Sequence, residues 1–308
     1  MKSIVVIFPH FGTLPPQYKM WRASALCNTD IDFLFFTDCD VEPARNILVN
    51  KISFNQFKEM IQKKFDFPII LDRPYKICEY RPAFAYALEE YIKGYDFWGW
   101  GDLDVVYGNI RSFITEEVLS KYHMISGWGH FSLYHNDVKT NTYFMDKHPG
   151  YQYYKDAFST SETSFFDEFG HKGFADKWYD LRHEECWLDW PFDNVSKPKQ
   201  SYNFCSLNRG WDNVLFEYDN GSLYIIRISD GIIERVETLY AHFQHRLFMK
   251  DKVTNYNHFL VTPRSIIDYP RHFKTLIIRY FSRKRNLTTK YYQWKDRLLW
   301  KLKLSKYK

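Results

Sequence analysis

Near the start of the chain hydrophobic residues come in short blocks, each closed by Pro, Gly or Asp. Ser3 to Phe8 is a β-branched run ended by Pro9 and Gly12, the pattern of a strand buried on both faces. Pro9-His10-Phe11-Gly12-Thr13-Leu14-Pro15-Pro16 reads as a loop, Trp21 to Cys27 as a helix, and Ile31 to Phe36 as a second strand ending at Thr37-Asp38. That succession predicts an α/β fold with a Rossmann-like, mostly parallel central sheet and flanking helices. Ser53-x-x-Gln56 ahead of Phe54, Phe57 and Ile61 is a helix-start signature, and the helix is expected to reach Phe65. A second helix is expected from Pro82 at its first turn to Ile92, with Gly94 as its stop.

The next run, Tyr95-Asp96-Phe97-Trp98-Gly99-Trp100-Gly101-Asp102-Leu103-Asp104, is an aromatic strand that ends in two aspartates one residue apart. A short helix from Arg111 to Lys121 and strands at His123 to Trp128 and Phe131 to Tyr134 follow. Residues 136–213 are polar, aromatic and weakly periodic, an irregular subdomain suited to acceptor-binding loops. Ser222 to Ile228 and Thr238 to His242 are further strands. Residues 1–263 are expected to form the body and 264–308 a basic amphipathic helical tail. In that tail Phe273, Leu276, Ile277, Tyr280 and Phe281 form one apolar stripe, and Tyr291, Trp294, Leu298 and Leu302 a second.

Composition sharpens this picture in three ways. Aromatic residues are 20% of the chain, with 24 Tyr and 10 Trp, so a groove for flat ligands competes with plain core filling as their use. Five scattered cysteines without C-x-x-C spacing argue against a disulfide framework or a zinc site and suit a reducing compartment. Charge is divided unevenly: 264–308 carry fourteen Lys and Arg against two acids, leaving 28 basic and 35 acidic residues in 1–263. A basic amphipathic tail ending Trp300-Lys301-Leu302-Lys303-Leu304 suits an anionic membrane surface, with docking on the body as the alternative for its first helix. No nucleic-acid motif accompanies the charge. No signal-peptide pattern opens the chain and no apolar run has spanning length, so the expected location is the cytoplasm, peripheral to the inner face of the cell membrane.

Candidate chemistry centres on Asp102 and Asp104. In an extended backbone both carboxylates point to one side and together suit a hard cation that also takes phosphate oxygens. The same spacing recurs at Asp30/Asp32 and Asp38/Asp40, so it does not choose among the three. Ligands of parallel sheets sit beyond the carboxyl ends of the strands, which nominates Phe11, Gly12, Thr37 and Asp38 as a nucleotide edge. Lys76 and Arg81 face phosphates or are plain surface charges. In Phe165-Phe166-Asp167-Glu168-Phe169-Gly170, a partly buried carboxylate has the raised pKa of a base; solvated acids in a capped turn are the competing reading. His242 ends a strand beside His245 and Arg246 and suits the nitrogen position of a Mn²⁺ site, or is a satisfied structural histidine.

As an ordered set, Pro9-His10-Phe11-Gly12, Phe36-Thr37-Asp38, Tyr75-Lys76-Ile77-Cys78-Glu79-Tyr80-Arg81-Pro82-Ala83, the run ending Trp100-Gly101-Asp102-Leu103-Asp104, and His242-Phe243-Gln244 resemble bacterial GT-A glycosyltransferases of capsule and lipopolysaccharide gene clusters, over about residues 1 to 250. The resemblance implies a GT-A fold, a nucleotide-sugar donor such as a UDP-sugar, a glycan or lipid-linked glycan acceptor, and Mn²⁺ or Mg²⁺ on the D-x-D motif. Asp102 and Asp104 become that motif, His242 the late histidine, and Pro9, Phe11, Gly12, Thr37, Asp38, Lys76, Arg81, Trp100 and Arg246 donor-side residues. Asp167 and Glu168 become the candidates for catalysis in an inverting reaction, or sugar binders in a retaining one. Many retaining relatives carry H-x-x-G-x-x-K, where this chain has His242-Phe243-Gln244-His245-Arg246, so the stereochemistry stays open. Two other classes compete, a metal-dependent sugar-phosphate transferase using the same aspartates and a non-catalytic glycan-binding protein.

Overall fold

The opening strand, β1 (Ile4–His10), continues through Pro9 instead of stopping before it. The reason lies in its neighbours: β4 (Phe97–Gly101) pairs β1 only from Ile4 to Ile7, so beyond that point β1 has a single partner and a residue without N–H costs no ladder bond. The computed structural model describes residues 1–301 except 190, 245, 247–249, 273 and 284–285. Its chain divides into two units: Met1–Leu14, Asn28–Asp102 and Ile114–Trp190 form the first, and Pro15–Cys27, Leu103–Phe113 and Pro191–Lys308 the second. Both mix helices with sheets, and the protein is of the mixed α/β class.

The first unit is built on a seven-stranded sheet in the order β3-β2-β1-β4-β7-β6-β8, with β2 Ile31–Thr37, β3 Ile47–Lys51, β6 Met124–Trp128, β7 Phe131–His135 and β8 Cys186–Trp187. Strands β3, β2, β1 and β4 run parallel, β7 opposes β4 and β6, and β8 is parallel to β6. Burial of both faces explains the unbroken apolar runs of β1 and β4. On one face Val5, Ile7, Leu34, Phe36, Trp98 and Trp100 join the core, and on the other Phe8 packs on Phe33 and Phe35. The capping box at Ser53 and Gln56 is formed, and it starts the helix Phe54–Gln62, which buries Phe57 and Ile61.

Core filling, the plainer of the two uses considered for the aromatics, accounts for several of them here. Trp98, Trp100 and Tyr134 pack together, with Trp98 stacked on Tyr134, and the two indole N–H groups donate to Asn141 Oδ1 and the Trp128 carbonyl. The helix expected from Pro82 to Ile92 is replaced by a 3-10 helix, Pro74–Ala83, followed by single α-turns at Phe84–Ala87 and Glu89–Ile92. Pro82 lies inside that 3-10 segment, whose N1 residue is Pro74. From the region 136–213, Tyr143, Phe144, Tyr154, Phe158, Phe174 and Trp178 belong to the first unit's core.

The second unit holds a three-stranded sheet, β5 (Val105–Tyr107), β14 (Tyr240–His242) and β9 (Asp193–Asn194), and a seven-stranded one. The larger sheet comprises β10 (Phe204–Ser206), β11 (Trp211–Asp219), β12 (Ser222–Ser229), β13 (Ile232–Glu237), β15 (Lys250–Lys252), β16 (His258–Val261) and β17 (Ser265–Asp268). Two-residue turns close its hairpins. Asn220-Gly221 and Asp230-Gly231 all have positive φ, as the tight turns that match strand twist require.

The boundary expected at 264 falls immediately before β17, so the residues after it first complete this sheet. The helix Lys274–Ser282 then buries Ile278 in the unit's core, while Leu276 and Tyr280 line an open cleft of about 930 Å³ with Trp211 and Arg227. Among the stripe residues, Phe273 and Leu302 lie outside the described residues, as do 303 and 304 of the chain's end and the side chains of Trp300 and Lys301. No described helix is long and apolar enough to cross a membrane.

One contact tests the tight pairing of β4 with β7. A Cβ on Gly99 would lie 2.0 Å from the Ser132 carbonyl oxygen and 2.8 Å from Leu133 Cδ2. Gly99→Ala is expected to lower unfolding free energy by about 1–3 kcal/mol in urea titrations, the usual cost of overpacking. An unchanged midpoint would mean that the two strands are not so closely apposed.

Candidate functional site

In the first unit, polar groups gather where β1, β2 and β4 end. The Gly12 N–H donates to Asp38 Oδ1 at 2.8 Å, and the Cys39 thiol donates to the Gly12 carbonyl at 3.1 Å. Thr37 is wholly buried and its hydroxyl accepts from the Cys39 N–H, so it shapes the turn and offers nothing to a ligand. Phe11 is buried against Phe54 and Phe57, and Trp100 is a core residue. Of the residues expected on the nucleotide edge, Gly12 and Asp38 are the exposed ones, and Pro9 is half-buried within β1.

The 3-10 helix Pro74–Ala83 explains the next group. With three residues per turn, its cap residue Arg73 and then Lys76 and Glu79 eclipse one another on one face. They clamp a single loop in order. Arg73 donates to the Ser161 carbonyl at 2.9 Å and Lys76 to that of Glu162. Glu79 accepts from the N–H groups of Ser164, Phe165 and Phe166 at 2.8–3.0 Å and from the Ser164 hydroxyl. Phe165 takes a positive φ of 56° within this loop. Lys76 is fully buried and committed to this clamp, so the expectation that it faces phosphates is corrected here.

Arg81 extends the clamp to the end of β4. Its guanidinium donates to the Gly129 carbonyl at 2.7 Å, to Asp167 Oδ2 at 3.0 Å and to Asp102 Oδ1. Asp102 in turn donates its N–H to the His130 carbonyl. Burial pushes the Asp167 carboxyl up to about 7; Arg81 opposes that shift, and Glu168 and Glu79 add to it. Glu168 is half-buried and lies so close to Gly129 that a Cβ there would fall 2.6 Å from its Oε1. The exposed Tyr75 belongs to the same group: burial first, then Cys78, Glu168, Asp167 and Asp102, push its hydroxyl up to about 12.

In the second unit, Asp104 pairs with His242. Leu103 and Asp104 form a turn rather than extended backbone, so the expected alternation that aligned Asp102 with Asp104 does not hold. Antiparallel pairing sets His242 against Val105, and the Phe243 N–H donates to the Asp104 carbonyl at 2.8 Å. His242 Nε2 lies 3.4 Å from Asp104 Oδ1, and Nδ1 is 3.1 Å from Asn194 Oδ1, which also accepts from Gln244. Nδ1 therefore faces an amide oxygen and Nε2 faces Asp104. A carboxylate oxygen and an imidazole nitrogen at this spacing could hold a divalent cation between them.

Arg246 is buried and donates to the carbonyls of Ser196, Ser201, Tyr202 and Asn203, a loop-holding role. The expectation that it is a donor-side residue is therefore corrected. His245 lies outside the described residues. Two contributors escaped the sequence reading. Asn194 sits in a two-residue strand without periodicity, and Tyr75 was one tyrosine among 24.

These features define a mixed α/β protein with carboxylate-rich strand ends and a paired aspartate and histidine. The chain belongs to DUF6625, a family of unknown function whose model matches residues 6–270, a span that holds all of these residues. A comparison with curated proteins finds no match.

The raised carboxyl of Asp167 predicts a pH dependence. Its folded pKa of about 7 exceeds the ordinary 3.8, so the unfolded chain releases this proton first. Stability from this group is full below pH 3.8 and falls as pH rises through about 7. Asp167→Asn is expected to flatten that decline in urea titrations between pH 4 and 7.5; parallel wild-type and variant profiles would contradict the burial argument. Arg81→Leu strands two carboxylates and is expected to cost about 3–5 kcal/mol in the same titrations.

Proposed function

We propose that the protein is a metal-dependent glycosyltransferase of the GT-A type. It moves a sugar from a nucleotide-sugar donor, such as a UDP-sugar, to a hydroxyl of a glycan or lipid-linked glycan in bacterial surface polysaccharide synthesis. The observation that carries this reading is the Asp102-Leu103-Asp104 triplet. It directly follows β4, at the carboxyl end of the parallel strands β3, β2, β1 and β4, and its second aspartate lies 3.4 Å from the His242 imidazole. Ligands of parallel sheets bind beyond such ends.

In this reading Asp102, Asp104 and His242 hold Mn²⁺ or Mg²⁺. A bound ion of this kind neutralises the charge that grows on a leaving diphosphate. Asn194 keeps His242 in the tautomer that presents a lone pair, and Arg81 fixes the rotamer of Asp102. Gly12 and Asp38 are the donor-side contacts. Glu168, being the more exposed of the two acids, takes the acceptor proton, while the buried Asp167 positions Arg81. Tyr75 offers a ring face of the kind sugars stack on.

The membrane half of the proposal rests on the helix Asn286–Lys301. Leu287, Tyr291 and Trp294 are spaced to share one face and are 83%, 53% and 59% exposed, while Lys290 and Lys295 supply positive charge. Apolar stripe and basic flank together suit attachment at the inner face of the cell membrane.

A screen of nucleotide sugars with Mn²⁺, following slow hydrolysis, tests the activity. One donor is expected to be hydrolysed, and Asp102→Asn and Asp104→Asn to slow that reaction by on the order of 10²–10³-fold. Full activity in the doubly substituted protein would refute the metal assignment. Removing 284–308, which spares β17 and the helix Lys274–Ser282, is expected to release the protein from vesicles rich in anionic lipid in a sedimentation assay. Undiminished sedimentation would refute the membrane role.

A further inference from the structure

The opposite end of the first unit's sheet carries a second cluster of ligating side chains. Phe97 pairs with His135 and Gly101 with Phe131, so His135 lies at the start of β4, about 16 Å of strand from the Asp102 end. His123 precedes β6 and exchanges a backbone bond with His135, whose N–H donates to the His123 carbonyl at 2.8 Å. The two imidazoles stack with centroids 4.9 Å apart and turn Nδ1 toward the same carboxylate oxygen, Asp137 Oδ2, at 2.6 Å from His135 and 3.8 Å from His123.

Asp137 is held in place from behind. It is the N-cap of the helix Val138–Thr142, and its carboxylate accepts from the Thr140 N–H at 2.9 Å and the Thr140 hydroxyl at 3.0 Å. Partners of this kind orient the ligands of metal sites. His123 Nδ1 is shielded from solvent and makes no hydrogen bond among the described residues. It faces Asp137 Oδ2 and Glu185 Oε2, the latter at 3.6 Å and already claimed by Arg182. A shielded nitrogen facing carboxylates is costly when left unmatched; its 3.8 Å to Asp137 Oδ2 is near the roughly 3.4 Å between ligand atoms around a tetrahedral zinc, and the 2.6 Å from His135 would open on binding.

We propose that His123, His135 and Asp137 bind a divalent transition metal of zinc's class, with Glu185 adding negative charge beside it and the fourth position open to solvent. Two imidazoles and one carboxylate select zinc-like ions over Mg²⁺ and Ca²⁺, which prefer all-oxygen sites. On binding, the His135 Nδ1–H···Asp137 bond gives way to two metal bonds, and the proton moves to Nε2 of the same ring. This inference does not depend on the glycosyltransferase reading, because the two candidate sites share no residue.

The test is a Co²⁺ titration of the full chain carrying Asp102→Asn and Asp104→Asn, which disables the other candidate site. One equivalent of Co²⁺ is expected to give the visible bands of four-coordinate cobalt, and Zn²⁺ to displace it. In that background His123→Ala and His135→Ala are expected to abolish the bands. Asp137→Asn keeps a capping side chain but loses the charge, and is expected to weaken Co²⁺ at least tenfold while circular dichroism shows the fold retained. Failure of the background protein to bind, or unchanged bands in the folded Asp137→Asn protein, would overturn the proposal.

Discussion

The first unit's chemistry depends on one buried cation. Arg81 is the point at which the 3-10 helix, the loop through Asp167 and the end of β4 are tied together, through Asp167, Asp102 and the Gly129 carbonyl. A guanidinium suits this place because its planar fork reaches several acceptors at once and stays charged when buried. The arrangement is self-enforcing: the burial that strengthens the contacts also raises the Asp167 carboxyl, so the charge state of this acid depends on the cation beside it. Asp102 inherits its orientation from the same group, and any ligand role for Asp102 rests on that orientation.

In the second unit Asn194 Oδ1 faces His242 Nδ1 and also accepts from Gln244, an arrangement that turns the other ring nitrogen toward Asp104. Asp102 is thus tied to a guanidinium and Asp104 lies beside an imidazole, two different surroundings for neighbouring carboxylates.

Elements with a local signature were legible in the sequence. The β-branched run of β1, the Ser53–Gln56 box and the glycine stop at Gly94 each specify their structure within a few residues. The Asn220-Gly221 and Asp230-Gly231 turns were equally local signals for the hairpins of β11, β12 and β13, although that region reads as irregular up to Asn213 when only apolar periodicity is followed. What the sequence did not reveal is where each polar side chain is spent. Lys76 and Glu79 look like surface charges until the 3-10 period aligns them on a loop more than 80 residues away. Trp100 looks like a ligand platform because it neighbours Asp102, but strand alternation turns it into the core. The pairing of Asp104 with His242 joins positions 138 residues apart, and only the pairing of β5 with β14 creates it.

The proposed glycosyltransferase would bind a nucleoside diphosphate through a cation held on Asp102, Asp104 and His242. Calorimetric titration of the protein with UDP and with the other nucleoside diphosphates, each with and without Mn²⁺, tests it most directly. One of them is expected to bind only when Mn²⁺ is present, and His242→Ala is expected to remove this dependence together with most of the affinity. Equal binding with and without the metal, or no binding in either condition, would contradict it.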